Sequence, residues 1–510
     1  MRERFHPALL ALPLAFLASQ WWLRDAALPY WLWFNLDPSY LYLIGGLDIL
    51  QGAPPAQFQH PGAPVQLLVA AAAWLSGGDG ISNAEAILTR ASSLMFVLDA
   101  AALWLLGAAV RRSAGALVPA MLAQLAPFVT MLTLKHGLEV EPEPLLLFSA
   151  LLLAASLVED ARAPRAATLV LAGFAVGFGA ACKITFAPLG LAPLLALASW
   201  RRRLAYVALA AAWFALWMAV ELPNLGPMAD WFLGLAKGSG AYGQGAATVV
   251  DWAHYPHGFA KLFFARPLFL VAFALGLAAL WSGRRARRAD DAPMTPPERA
   301  LLGLLAAQFV QIALAAKHPS GHYVLPALEL AGPVLALSWL VLHRNRAPRP
   351  LLAGAFAGLL AIAVAGQSWA VTRLHAELAR ESKGALSLDL ARDLPRCAHV
   401  YAFMASSPGA AWFYNDSYSG QRFAARLKAA MPPNDYYSVP WRRPLENWDG
   451  PVEPAAIAAQ YPCIAVRASE SGFAASAGAL FGAAFSNPQK CRAGSETILV
   501  AGAECPKPSP

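Results

Sequence analysis

Long apolar stretches alternate with short polar segments over the first 370 residues of the chain. A helix needs about 20 predominantly apolar residues to cross the hydrocarbon core of a bilayer, which is roughly 30 Å thick. Measured against that length, the pattern predicts eleven membrane-spanning helices, approximately over residues 7–23, 84–110, 115–134, 143–159, 167–182, 184–199, 204–221, 264–282, 300–316, 323–342 and 351–370. The apolar stretch Pro61–Leu75 is shorter and follows a polar loop, so we expect it to lie in the membrane interface.

Two of these predicted spans, 167–182 and 184–199, are short and meet at Lys183. They form either a tight hairpin or one broken helix. In both arrangements Lys183 marks the point where the regular helix is interrupted.

Beyond residue 370 the pattern changes to short elements that alternate in type. Predicted strands and helices follow one another at His399–Met404, Gly420–Ala430, Pro454–Gln460, Cys463–Val466 and Thr497–Val500. This alternation is typical of a small α/β domain. The predicted fold class is therefore an all-α polytopic membrane domain over 1–370, followed by a small C-terminal α/β domain over 371–510.

Composition excludes most other classes of protein. Of the 510 residues, 58% are apolar and only 14% are charged, whereas a soluble domain carries about 25% charged residues. Too few charges remain to cover the surface of several soluble domains, and the disordered, collagen-like and disulfide-scaffold classes fail as well. The net charge of +8 does not indicate a nucleic-acid partner, because the arginines cluster in short runs between apolar segments.

The distribution of positive charge predicts the orientation in the membrane. With Met1 in the cytoplasm, the inner ends and loops before residue 371 carry seventeen Arg and Lys residues, and the longer outer loops carry eight. This asymmetry follows the positive-inside rule. An additional span at Pro61–Leu75 would place Arg201–Arg203 outside. We therefore predict a multi-pass protein of a bacterial-type inner (plasma) membrane, with a cytoplasmic N-terminus and an extracytoplasmic tail in the periplasm.

The cysteines agree with an exported tail. Cys182 lies in the apolar region, and the other four of the five cysteines lie in the last quarter of the chain. That segregation favours an oxidising compartment. Cys397 and Cys463 each open a predicted strand, and neighbouring parallel strands would bring them together. Cys491 and Cys505 flank the last predicted strand and would form the second disulfide, although three pairings are possible for four cysteines.

Candidate chemistry concentrates on the predicted outer side. Carboxylates occur in the first outer loop, at Asp37, and in the second, at Glu139, Glu141 and Glu143. Cations and histidines occur in later loops, at Lys183, Lys317, His318 and His322. A carboxylate can take the proton of an acceptor hydroxyl, and cations can stabilise the charge that develops on a departing phosphate. The pattern favours a transfer reaction with an anionic leaving group, although outer loops are polar in any membrane protein.

The order of these features resembles the GT-C superfamily of membrane glycosyltransferases, and most closely the aminoarabinose, galacturonosyl and protein O-mannosyl transferase group. The resemblance covers residues 1–370 and lies in the layout more than in exact motifs. Its first three features are an acid early in the first outer loop (Asp37), an interfacial His-Pro segment (His60) and an acid in the second outer loop (Glu141). The other two are a Gly-x-x-x-Gly helix that ends at a lysine (Gly173, Gly177 and Lys183) and a late helix that starts with His-Tyr-x-x-Pro (His322, Tyr323 and Pro326).

This resemblance implies an enzyme that moves a sugar from a polyprenyl-phosphate-linked donor in the membrane to a hydroxyl of a lipid, glycan or protein acceptor on the outer face, with inversion. It implies Asp37 as the catalytic base and Glu141 or Glu139 as the second-loop acid. The groups that would bind the donor phosphate are Lys183, His322, Lys317 and His60.

The chain departs from many members of the superfamily at two places. Pro38 follows Asp37 where many members have a second acid, and His322 stands where many have an arginine. No metal ligands are assigned, and no cofactor is expected, with a divalent metal as the less favoured alternative.

Other interpretations stay open at this point. Asp37 also fits a helix N-cap, Glu143 with Pro144 fits a helix start, and Lys183 fits a lysine that snorkels to the interface. The alternative function is a transporter or lipid flippase, with Asp99 and Glu329 inside spans as ion-coupling residues. A transporter predicts paired broken helices in two related halves, and the sequence has one candidate break and no repeat.

Overall fold

The computed structural model of the chain describes residues 6–32, 38–59, 62–240, 245–290, 292–344, 349–403, 407–439 and 444–506. The helices before the tail are α1 (Ala11–Ala26), α2 (Ser39–Leu50), α3 (Ala63–Ser76), α4 (Ala84–Ala114), α5 (Leu117–Ala123), α6 (Met131–Gly137), α7 (Pro142–Arg162), α8 (Ala166–Cys182), α9 (Leu191–Ala196), α10 (Trp200–Trp217), α11 (Leu225–Lys237), α12 (Tyr255–Phe264), α13 (Pro267–Asp290), α14 (Pro296–Ala315), α15 (Leu325–Glu329), α16 (Ala331–Arg344) and α17 (Arg349–Leu386). Short 3₁₀ segments join some of them, at Pro7–Leu10, Ala126–Phe128, Ile184–Gly190, Met218–Asn224 and Gly321–Val324.

The chain is a multi-pass membrane protein. Within the described residues, seven helical stretches are long and apolar enough to cross a membrane, at Ala84–Ala114, Pro142–Arg162, Trp200–Lys237, Pro267–Arg288, Pro296–Ala315, Gly321–Arg344 and Pro350–Asp393. Four further apolar helices have 10–17 residues. The exact number of eleven spans stays a prediction.

The stretch predicted to span over 115–134 is not a continuous helix. It is divided into α5, the 3₁₀ segment Ala126–Phe128 and α6. Pro127 has no N–H to donate to the preceding turn, so an α-helix cannot run through it. Beyond the break, α6 contacts α7.

By its internal contacts the chain forms two compact units. The first comprises Met1–Trp21, Phe58–Leu67 and Ser92–Thr372, and the second comprises Trp22–Gln57, Leu68–Ala91 and Arg373–Pro510. The division predicted between residues 370 and 371 stays a prediction.

Within the first unit, the Gly-x-x-x-Gly motif of α8 packs against α10. A Cβ added at Gly173 would lie 2.7 Å from Leu209 Cβ, and one added at Gly177 would lie 2.5 Å from the Ala210 carbonyl oxygen. Small residues let two helices in a membrane approach closely enough for backbone contact. This packing holds α8 against α10, and Lys183 directly follows the last residue of α8.

Within the second unit, the tail is the predicted small α/β domain. Its strands are β1 (Ala398–Ala402), β2 (Asp435–Ser438), β3 (Glu446–Asn447), β4 (Gly450–Pro451), β5 (Ile464–Ala468), β6 (Gln489–Ala493) and β7 (Glu496–Ala501), and its helices are α18 (Leu390–Asp393), α19 (Pro408–Asp416), α20 (Ala424–Ala430), α21 (Pro454–Gln460) and α22 (Ser471–Ala479). The sheet has the order β4-β3-β2-β1-β5-β7-β6, and β1 pairs in parallel with both β2 and β5. Hydrophobic clusters lie on both faces of the sheet, as expected for parallel strands.

The predicted disulfide pairing is confirmed. Cys397 bonds to Cys463, and Cys491 bonds to Cys505. The first bond joins the residues that precede β1 and β5, whose parallel register pairs Ala398 with Ile464. Among the described cysteines, Cys182 is free and buried.

The second unit also contains α2, which lies within the first predicted outer loop. Asp48 of α2 is fully buried and accepts a hydrogen bond from Arg422 of the tail at 3.0 Å. Burial raises the pKa of Asp48 to about 6, although Arg422 opposes that shift. Tyr40 meets Trp412 edge to face, with ring centroids 5.3 Å apart. The tail and α2 therefore pack as parts of one folded unit.

Candidate active site

The candidate site lies within the first unit, where helices start, stop or break. Lys183 follows the last residue of α8 in an extended conformation (φ −157°, ψ 127°), and Pro188 prevents a regular α-helix in the segment that follows. Its ammonium donates to Glu143 Oε1 at 2.7 Å, with 1% and 3% of the two side chains exposed. A snorkelling lysine keeps its ammonium in water, so that interpretation of Lys183 is wrong.

Glu143 belongs to the first turn of α7. Pro142 begins this helix, as a proline without a free N–H often does. The prediction that Glu143 and Pro144 open a helix is therefore confirmed. The start of a helix carries partial positive charge and favours a carboxylate. Glu143 Oε2 is buried and has no hydrogen-bond partner among the described residues.

His136 and Glu141 form a second buried pair beside the first. His136 lies on α6, Glu141 is the residue before α7, and His136 Nδ1 contacts Glu141 Oε1 directly. Burial lowers the pKa of His136, but the carboxylates of Glu141 and Glu143 outweigh it and raise this pKa to about 9. Burial raises the pKa of Glu141. The pair therefore holds a proton near neutral pH.

His322 and Tyr323 complete the cluster from the segment before α15. The His322 ring lies 5.7 Å from that of His136, and the Lys183 ammonium lies 5.3 Å from the centre of the Tyr323 ring. His322 Nδ1 is 2.9 Å from Ser320 Oγ. Pro326, in the first turn of α15, has the φ angle that a helix start requires. The predicted His-Tyr-x-x-Pro motif thus presents its ring side chains to the pairs above.

Gln311 of α14 forms hydrogen bonds with both 3₁₀ segments next to the cluster, Ile184–Gly190 and Gly321–Val324. Its Nε2 donates to the carbonyl of Thr185 at 2.8 Å and to that of Tyr323 at 3.3 Å. Gln311 is buried, so its hydrogen bonds have no competition from water. It therefore fixes the distance between the backbone after Lys183 and the backbone at Tyr323.

The cluster is rich in both signs of charge and holds a group able to bind a metal. Glu139 is 5% exposed, and its negative charge acts on Glu141. His136, Glu141 and Glu143 each offer one ligand atom, and these atoms lie within 4.8 Å of one another. A divalent cation there would compete with Lys183 for Glu143 and with the proton of His136 for its ring nitrogen.

Two more acids lie deeper in the first unit. The hydroxyl of Thr133, on α6, donates to Glu329 Oε1 at 3.2 Å. Asp99 of α4 is 2% exposed and Glu329 is 1% exposed, and the two acids interact electrostatically. Asp99 also has a hydrogen bond with the backbone of Phe148.

The remaining predicted site residues fall into two groups. Lys317 donates to the carbonyls of Leu235 and Ala236 at 2.6 and 2.7 Å, where it caps the end of α11. Asp37 and His60 lie outside the described residues.

Three residues of the site were not singled out from the sequence. His136 lies five residues before Glu141, and this spacing beside a Pro-flanked acid is the signal that could have identified it. Gln311 and Thr133 look like ordinary polar residues of apolar helices, because their hydrogen-bond partners are distant in sequence. Thr133 reaches Glu329, and Gln311 reaches Thr185.

Chemically, the cluster combines two capabilities. A buried ammonium close to imidazoles can bind an anion such as a phosphate, because charge-assisted hydrogen bonds strengthen when water is excluded. A carboxylate that shares a proton with an imidazole can accept or return a proton.

Comparison with solved structures gives a match over almost the whole chain. No protein-family model matches the chain, and no curated protein matches it in sequence. Among solved structures, the crystal structure of ArnT from Cupriavidus metallidurans bound to undecaprenyl phosphate matches with a TM-score of 0.50 and 14% identity, covering 97% of this chain and 98% of that one. The chain therefore has the fold of ArnT, which agrees with the fold class predicted from the sequence.

Proposed function

We propose that this chain is a membrane glycosyltransferase that moves a sugar from a polyprenyl-phosphate-linked donor to an acceptor hydroxyl on the outer face of the membrane, with inversion. The observation that carries the proposal is the buried Lys183 ammonium, held among carboxylates and imidazoles at a helix break. A cation kept out of water is suited to a lipid phosphate that stays within the membrane. The fold shared with a protein crystallised with undecaprenyl phosphate supports the same class of donor.

In this proposal each side chain has a separate task. Lys183 and His322 bind the donor phosphate and stabilise the charge that it gains as the sugar leaves. Glu141 shares a proton with His136 and can accept or return one, and Glu139 adds negative charge beside it. Asp37 is the base that takes the proton of the acceptor hydroxyl. Lys317 and His60 are further candidates for the donor phosphate.

The first test is the lipid that the protein binds. Mass spectrometry of a lipid extract from the purified protein should detect a polyprenyl phosphate.

Lys183→Gln keeps a hydrogen-bond donor for Glu143 but removes the positive charge. We expect it to weaken binding of undecaprenyl phosphate by about 10- to 100-fold, the effect of a hydrogen bond to a charged group.

The matched control is Lys261→Met, which removes an exposed lysine of α12 and should leave the affinity unchanged. Equal affinity of the Lys183→Gln variant and the wild-type protein would place the phosphate elsewhere.

The second test is the orientation of the chain. Ala286→Cys puts a thiol near the basic end of α13, predicted to be cytoplasmic, and Ser471→Cys puts one in the tail, predicted to be exported. An impermeant thiol reagent added to whole cells should label only the second. Labelling of the first from outside would reverse the proposed topology.

A further inference from the structure

The carboxylate of Glu143 forms an ion pair with the ammonium of Lys183. The two side chains meet at 2.7 Å and are almost completely buried. Each is fixed at a helix end, Glu143 in the first turn of α7 and Lys183 directly after α8. Because neither backbone can move without the end of its helix, a phosphate that binds Lys183 has to share the ammonium with the carboxylate of Glu143.

The reaction proposed above changes the charge of that phosphate. The donor is a phosphodiester with one negative charge. The bond between the anomeric carbon and the phosphate oxygen breaks, its electron pair stays on that oxygen, and the acceptor oxygen forms the new bond to the anomeric carbon. The acceptor proton goes to Asp37. The lipid phosphate is left as a monoester with two negative charges near neutral pH, because its second pKa is about 6.

We propose that Glu143 promotes release of the spent lipid phosphate, because its carboxylate repels the doubly charged product more strongly than the singly charged donor. This inference rests on the proposed function. Lys183 binds the phosphate of both the donor and the spent lipid. The repulsion from Glu143 lowers the affinity for the spent lipid more than the affinity for the donor. After the transfer, Glu143 regains Lys183 as the product leaves.

The surroundings of Glu143 keep its negative charge effective. Its Oε1 accepts from Lys183, and its Oε2 is buried with no hydrogen-bond partner among the described residues, so Lys183 is the main group that balances the charge. The charged and titratable groups that interact with it include Lys183, His136, His322, Glu141, Glu329 and Cys182. Water is excluded from the pair, and repulsion between like charges is strong where water does not screen it.

The test compares two lipids on two proteins. The probes are undecaprenyl phosphate, a monoester, and its methyl ester, a phosphodiester, each added in detergent at about pH 8. Glu143→Gln should tighten binding of the monoester by about tenfold, and of the diester by no more than about threefold, because only one of them carries the second charge. At about pH 5.5 the monoester carries mostly one charge, so the difference between the probes should shrink.

Two variants serve as controls. Glu143→Asp keeps the charge and should keep the wild-type ratio of the two affinities, which separates a charge effect from altered packing. Glu159→Gln neutralises another glutamate of α7, which pairs with Arg112 and Arg162 instead, and should change neither affinity.

The outcomes separate this inference from the proposed function. If Lys183→Gln weakens binding of both probes and Glu143→Gln tightens binding of the monoester alone, the proposed phosphate site and the role of Glu143 are both supported. If Lys183→Gln weakens both probes but Glu143→Gln changes them equally or not at all, the role of Glu143 is wrong and the phosphate site stands. If neither probe binds the wild-type protein, or Lys183→Gln changes neither affinity, the proposed phosphate site fails and this inference fails with it.

Discussion

Asp37→Asn should reduce turnover by about 10²- to 10⁴-fold, the usual contribution of a general base. That factor corresponds to about 3–5 kcal/mol of barrier. Asparagine keeps the size and polarity of aspartate but cannot take a proton from the acceptor hydroxyl. Binding of undecaprenyl phosphate should stay near the wild-type value, because the proposed phosphate ligands are other residues. Turnover is measured as transfer of labelled sugar to acceptor, and binding is measured separately.

Asp25→Asn is the matched control, since Asp25 is an exposed aspartate at the end of α1 and should be dispensable. Full turnover in the Asp37→Asn variant would show that the base assignment is wrong, and Glu141 would be the next candidate. If Lys183→Gln also kept its activity and its lipid affinity, the site would have to lie away from both residues.

Removal of the Cys397–Cys463 disulfide should destabilise the second unit by about 4 kcal/mol, since the bond closes a loop with a sequence separation of 66. The same chain-entropy relation predicts about 3 kcal/mol for Cys491–Cys505, whose separation is 14. Both cysteines of a pair are replaced by alanine so that no hydroxyl is buried without a partner. Pulse proteolysis across a urea series measures the free energy of unfolding of the tail.

The expected order of the two variants is the discriminating result. The pair that joins β1 to β5 should cost more stability than the pair that joins β6 to the residues after β7. Adding a reducing agent to the wild-type protein cleaves both bonds, so the loss should be at least as large as that of the variant without Cys397–Cys463. A variant without Cys397–Cys463 that unfolded at the wild-type urea concentration would contradict an oxidised tail.

Much of the architecture is predictable from the sequence because it depends on local pattern. The long apolar stretches predict a multi-pass membrane protein, since few charged residues are available to cover a soluble surface. The change to short alternating elements after residue 370 predicts the α/β tail. The pairing of Cys397 with Cys463 follows from two strands that begin directly after these cysteines, because parallel neighbours in register bring such residues together.

The candidate site was predicted only in part. Placement at helix ends and outer loops identified Glu139, Glu141, Lys183 and His322 as candidates, because functional side chains lie where regular structure stops. The partner of Lys183 was not predicted. It is Glu143, a residue interpreted as a helix start, and local pattern contains no signal that distinguishes it from Glu141 two residues earlier.

The sequence by itself determined the class of protein, the change from membrane helices to an α/β tail, the interruption at Lys183 and the disulfide partners. Only the tertiary structure decided that Lys183 is buried against Glu143, that His136 joins Glu141, and that Gln311 links the segments at Thr185 and Tyr323. The physical reason is distance along the chain. Hydropathy and helix signals act over a few residues, whereas Lys183 and Gln311 meet partners 40 and 126 residues away, which only the packing of whole helices brings into contact.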